Sequence, residues 1–103
     1  MTKTQLPKFL QPTLWSLKIE NLDVQKDEVY IINQILVYGG LKELNWLIKT
    51  YPKQVIKKVF LHQPLKIYTP TAFNFAKEIL LNIKNQSLNF AEYDRNSKRV
   101  IGF

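Results

Sequence analysis

The sequence predicts an all-α fold: a compact four-helix domain with an extended, apolar N-terminal arm and a short C-terminal tail. Three observations carry that expectation. Apolar residues recur at three-and-four spacing through the middle of the chain, Gly39-Gly40 and Pro52 cut the pattern into helix-length pieces, and Thr69-Pro70 supplies a strong start for a last piece. The 103 residues divide into an arm at 1–22, a helical core at 23–84 and a tail at 85–103, all within one domain.

The arm, MTKTQLPKFLQPTLWSLKIENL, holds Pro7 and Pro12 and shows no helical period, which reads as extended chain. Its Phe9, Leu10, Leu14, Trp15 and Leu17 are apolar enough to pack onto the helices, with an exposed aromatic hook for a partner as the alternative. Asp23 is placed to cap a short turn over 24–26 that runs into the first main helix, where Asp27 and Glu28 favour the early turns.

That first helix is expected from about Asp27 to Tyr38, with Ile31, Ile32, Ile35, Leu36 and Tyr38 on its apolar face. The β-branched residues also suit a strand, but the unbroken length argues for helix, and Gly39 can take the left-handed conformation that ends one. After Gly40 the second helix sets Leu41, Leu44, Leu47, Ile48 and Tyr51 against Lys42, Glu43, Asn45 and Lys49. The third runs from about Pro52 to Leu61, with Val55, Ile56, Val59 and Phe60 inward and Lys53, Gln54, Lys57 and Lys58 outward. His62, Gln63 and Pro64 stop it, and 65–68 form an extended connector. The fourth begins at Thr69-Pro70, turns Ala72, Phe73, Ala76, Ile79, Leu80 and Ile83 inward and ends near 82–85. Beyond Ser87 a loose alternation fits a two-stranded hairpin turned at Arg95-Asn96-Ser97, a helical or disordered tail being the alternative.

A chain of this length with 46% apolar residues buries roughly two thirds of its unfolded surface and folds without staples. It has no cysteine, which excludes disulfides, thiolate zinc sites and cysteine nucleophiles. No apolar run approaches a membrane span, and the polar start has no signal-peptide character, so no membrane partner and a cytoplasmic location are expected. The net charge of +7 is uneven: residues 1–41 balance four lysines with four acids, while residues 42–84 set eight lysines against Glu43 and Glu78. This asymmetry suits a polyanion or an acidic partner protein, although abundant Lys, Ile and Asn together also fit plain lysine-covered solvated faces. Only two of the fifteen basic residues are arginine, the side chain that bidentate phosphate and guanine contacts prefer.

Reactive groups do not converge. His62 is the single histidine and lacks a nearby carboxylate to orient it; Asp27/Glu28 and Glu92/Asp94 read as helix-terminus and turn residues. Gly39, Gly40 and Gly102 cannot form a phosphate-cradling loop, and Ser16, Ser87 and Ser97 lack a nucleophile elbow. No catalytic residue, metal or cofactor is expected, and the chain reads as a non-enzyme. The second and third helices invite comparison with a helix-turn-helix, which would turn Lys53, Gln54, Lys57 and Lys58 to DNA, but Trp46, Thr50 and Tyr51-Pro52 stand where such turns keep small residues and glycine. Trp46, near the edge of its stripe, is either a peripheral core residue or a contact anchor.

The order Leu14-Trp15, Asp23, Tyr30-Ile31-Ile32, Ile35-Leu36, Tyr38-Gly39, Trp46-Leu47, Tyr51, Ile56, Leu61, Thr69-Pro70 and Phe73-Asn74-Phe75 resembles a family of small bacterial proteins of unknown function. Their genes commonly neighbour nucleotidyltransferases of the AbiEii toxin type. The resemblance runs roughly from Phe9 to Ile83; Ser16 and Gln34 depart from it, standing where the family tends to have aspartate and arginine. It implies an antitoxin-like or accessory protein that binds a nucleotidyltransferase-type partner. In that role the basic residues Lys49, Lys53, Lys57 and Lys58 would steer an acidic surface, and Trp15 or Trp46 would anchor it. The alternatives are a small DNA-binding regulator using the basic third helix, and a homodimer that exchanges its apolar arm.

Overall fold

The computed structural model describes residues 6–15, 17–80, 88 and 90–94, with backbone alone at 79 and 80. Four α-helices follow one another: α1 at Glu28–Tyr38, α2 at Leu41–Thr50, α3 at Lys53–His62 and α4 at Pro70–Asn74. The described residues are mostly helical and contain no strand. α1 is the hub. It packs against α2, α3 and α4, while α2 and α3 barely touch each other.

The buried surface of α1 is wider than its apolar stripe. Ile31, Ile32, Ile35 and Leu36 are in the core as expected, but Asn33 and Gln34 are buried with them and Tyr38 is exposed. A helix with neighbours on three sides has no polar face left to give to water, so its polar residues must find partners inside. Asn33 finds four. Its Nδ2 donates to the Val29 and Gln63 carbonyls at 2.8 and 3.1 Å. Its Oδ1 accepts from the Tyr68 hydroxyl at 2.8 Å and from Leu65 N at 3.3 Å. The amide thereby binds α1 to the connector between α3 and α4. Gln34 Nε2 and the Tyr30 hydroxyl, one turn apart on α1, are buried without a hydrogen-bond partner among the described residues.

The turn from α1 to α2 depends on glycine for a reason other than handedness. Gly39 has φ −76° and Gly40 φ −91°, both open to any residue. What excludes a side chain at Gly39 is space: a Cβ there would lie 2.7 Å from the Ile35 carbonyl oxygen and 2.9 Å from Ile35 Cγ2. Glu43 Oε1 accepts from Gly40 N at 2.8 Å, occupying a donor at the start of α2 that the helix itself cannot satisfy. Pro52 is the N-cap of α3 rather than its first helical residue, with ψ 146°.

Thr69 caps α4 through Oγ1, which accepts from Ala72 N at 3.2 Å, and Pro70 follows at the first helical position. The helix then widens into a π-helical stretch at Phe75–Leu80, which the sequence pattern does not announce. The inward placements expected of Ile79, Leu80 and Ile83 fall outside the described side chains, as does most of the expected hairpin. Of the described tail residues, Phe90–Glu92 form a 3-10 turn, and Asp94 makes an isolated β-bridge with Tyr68.

The arm coils instead of running straight. It forms 3-10 turns at Lys8–Leu10 and Ile19–Asn21, and Leu14 N donates to the Leu10 carbonyl at 2.8 Å. Short turns accept Pro7 and Pro12 because neither needs a donor there. Gln11 holds the bend: its Oε1 accepts from Ile19 N at 3.1 Å, and its Nε2 donates to the Leu14 and Leu17 carbonyls at 3.1 and 2.9 Å. Coiling lets Leu6, Leu10, Leu14, Ile19 and Leu22 all reach the core. The following turn is capped by Asp23 Oδ2, which accepts from Gln25 N and Lys26 N at 2.9 and 2.8 Å.

An aromatic cluster closes the far side. Phe60, Tyr68, Phe73 and Tyr93 pack with ring centroids 4.8–5.9 Å apart, and Phe90 lies 5.0 Å from Phe73. Tyr68 N donates to the Tyr93 carbonyl and the Tyr93 hydroxyl donates to the Phe60 carbonyl, each at 2.8 Å.

Candidate functional site

The chain's most unusual surface is the corner where α1 turns into α2. Leu41, the first residue of α2, is 87% exposed, Trp15 is 63% exposed and Ile48 is 52% exposed; Leu17 and Tyr38 are exposed as well. Trp15 rests edge-on against Tyr38, centroids 6.2 Å apart at 71°, so the arm and the end of α1 present their aromatic rings to solvent together. Single exposed apolar residues are ordinary, whereas an exposed Trp15–Tyr38 pair at the end of α1, with exposed Leu41 just across the turn and Ile48 two turns further along α2, makes a candidate contact surface.

Beside Leu41 lies an open apolar groove of about 400 Å³. One wall is Leu36, Val37 and the Gly39–Leu44 turn; the other is Thr69, Thr71, Ala72 and Phe75 at the start of α4 and its π-helical extension. Lys42 Nζ sits 4.4 Å from the centroid of the Phe9 ring, a cation–π contact that ties the arm to the first turn of α2.

The residues expected to bind fall into separate groups. Trp15 is in the exposed corner. Trp46 is a core residue at the periphery: half-buried and edge-on to Tyr51, with centroids 6.2 Å apart. Lys49, Lys53 and Lys58 are exposed, and Lys57 is half-buried on α3. Glu43 is the sole acid between 41 and 62, and its carboxylate is turned onto Gly40 N. The charges of α2 and α3 are therefore predominantly positive. These two helices do not pack as a helix-turn-helix pair; each leans on α1, and Tyr51 between them is buried with its hydroxyl donating to the Val24 carbonyl at 2.6 Å.

Among the described residues, no cluster of His, Cys, Asp or Glu could hold a metal. His62 is exposed at the end of α3. The perturbed groups are phenols held in the fold. Burial, with Glu92 adding to it, pushes the Tyr93 hydroxyl up to about 12. Burial also raises Tyr68, helped by Tyr93, and Tyr51, helped by Glu28, Asp23 and Asp27. These shifts keep donors protonated that the core uses as hydrogen bonds.

Leu41, Ile48 and Tyr38 are the surface residues that sequence reasoning placed inward. Among the described residues, no helix is long and apolar enough to cross a membrane.

A family model described as a family of unknown function (DUF6922) matches residues 9–60, from the arm through most of α3. No curated protein and no solved structure matches the chain.

Proposed function

Because the chain belongs to DUF6922, a family of unknown function, we propose its role from its own surface: a non-enzymatic interaction module that binds a partner protein through the α1–α2 corner. The observation that carries this reading is the exposed Trp15–Tyr38 pair beside Leu41 and an open apolar groove. An aromatic ring already ordered against its neighbour loses little freedom when a partner covers it, which is what an anchor residue requires. The exposed lysines of α2, Lys42 and Lys49, give this side of the chain a positive charge that steers acidic partners. The specific form of the proposal is an antitoxin-like or accessory protein whose partner is a nucleotidyltransferase with an acidic surface.

The test is affinity purification of the tagged chain from its native host, with and without nuclease, at low and high salt, beside the Trp15→Ala variant. A stoichiometric protein that survives nuclease and salt and is lost from the variant supports the module; a nucleotidyltransferase in that position supports the specific form. Recovery of nucleic acid alone, released by salt and by Lys53→Glu with Lys58→Glu, would overturn the module in favour of a DNA-binding regulator using α3. Recovery of a second copy alone would point to the homodimer.

A further inference from the structure

The outward face of α2 has a composition that the corner alone does not explain. Its exposed residues are Leu41, Lys42, Asn45, Ile48 and Lys49, which form one stripe along the helix. Within that stripe an apolar–basic doublet occurs twice: Leu41-Lys42 and Ile48-Lys49, seven residues apart and therefore about 10 Å apart along the axis on nearly the same side. Such a repeat matches the side-chain rows of a second helix laid alongside, apolar residues in the seam and charges flanking it.

We propose that this face docks an acidic amphipathic helix of a partner, whose apolar side chains rest on Leu41 and Ile48 and enter the groove beside Leu41 while its carboxylates meet Lys42 and Lys49. The inference rests on the interaction-module reading and names the surface and the chemistry of the occupant. Charge selects that occupant. Glu43 is the sole carboxylate on α2 and α3, against Lys42, Lys49, Lys53, Lys57 and Lys58, so the two helices are strongly net positive. A nucleic acid would use the lysines but not an 87% exposed leucine or the groove. A membrane surface would gain little from two aliphatic side chains and would leave the groove empty. A helix carrying leucines on one face and glutamates on its flanks uses all of these features.

The experiment measures fluorescence anisotropy of a short labelled helical peptide, leucines on one face and glutamates elsewhere, titrated with the full chain. Its companions are a scrambled peptide of the same composition, anionic phospholipid vesicles and duplex DNA. The variants are Leu41→Ser with Ile48→Ser, and Lys42→Glu with Lys49→Glu. Lys18→Glu with Lys66→Glu makes the same charge change at exposed positions off this face. Because Lys42 also meets the Phe9 ring, Lys49→Glu alone is measured beside the double variant, and circular dichroism verifies that each variant keeps its helices. The expected result is binding of the amphipathic peptide, weakened about tenfold or more by either α2 double variant and by less than about threefold in the control. Equal binding of the scrambled peptide, insensitivity to the α2 variants, or variant-sensitive binding of vesicles or DNA in place of the peptide would overturn the proposal. If the peptide fails while capture of a host protein still depends on Trp15, the α2 assignment falls and the module stands; if the peptide binds as expected but no host protein is captured, the module reading loses its support instead.

Discussion

The Tyr68 hydroxyl donates to Asn33 Oδ1 at 2.8 Å, across 35 residues of sequence, inside a core where both side chains are fully buried. The contact completes the four hydrogen bonds that an amide side chain can make. Losing Asn33 strands the Gln63 carbonyl, Leu65 N and the Tyr68 hydroxyl together. Asn33→Ala is expected to lower unfolding free energy by about 3 kcal/mol, and Tyr68→Phe by about 1–2 kcal/mol. Urea denaturation measures both, and the double variant should be less than additive because the two share a bond. Equal, small losses would mean that the network does not hold the core.

Tyr51, Tyr68 and Tyr93 all have hydroxyls raised above the ordinary tyrosine value of about 10, Tyr93 to about 12. A raised pKa means that the folded chain holds the proton more tightly than the unfolded one. The stability they contribute is complete below pH about 10 and is lost as pH rises through their folded-state values. The urea midpoint should hold steady across neutral pH and fall above pH about 10, with phenolate absorbance from these residues appearing together with loss of helix. Full titration of all five tyrosines near pH 10 with helix intact would contradict this.

The two glycines should answer differently to the same change. A methyl at Gly39 meets the Ile35 carbonyl, Ile35 Cγ2 and Glu43 Cβ at 3.0 Å or less, two of them parts of a packed helix. A methyl at Gly40 approaches only Glu43 Oε1, at 3.2 Å, the end of a flexible side chain. Gly39→Ala is expected to cost about 1–3 kcal/mol and Gly40→Ala less than about 1 kcal/mol, read from thermal or urea unfolding. Comparable costs at both would rule out close approach as the reason for glycine at 39.

Trp15 and Trp46 separate binding from stability. Trp46→Ala removes a half-buried ring from its contact with Tyr51 and should cost about 2–3 kcal/mol. Trp15→Ala removes a largely exposed ring and should cost less than about 1 kcal/mol, while abolishing partner capture. The reverse pattern would move the anchor into the core and remove the basis for the α1–α2 corner.

The helices and their limits were legible because punctuation and periodicity agree: Gly39-Gly40, Pro52, Gln63-Pro64 and Thr69-Pro70 each fall at a boundary in the structure. The candidate site was only partly legible. Trp15 and Leu17 read first as packing onto the helices, with an exposed aromatic hook as the alternative, and both are exposed; Leu41 and Ile48 read as core because periodicity identifies an apolar stripe without saying which part of it meets a neighbour. The expected apolar face of α1 leaves out Asn33 and Gln34, which are buried all the same: a polar side chain enters a core only with partners, and three of the four that Asn33 finds come from the distant 63–68 segment. The π-helical stretch after Asn74 carries no breaker residue and leaves no trace in spacing.

The Tyr93 hydroxyl reaches back to the Phe60 carbonyl, and Tyr68 reaches back to Asn33, so residues lying after the stretch matched by the family model complete the interior of that stretch. Tyr68 and Tyr93 both follow the first three helices in the chain. Until their segments dock, the Phe60 ring and the Asn33 amide remain open to water, and the chain is helical but loosely shut. Docking of the Tyr93 segment is the latch, and a chain cut short ahead of it would display an unfinished core to the first chaperone or protease it meets.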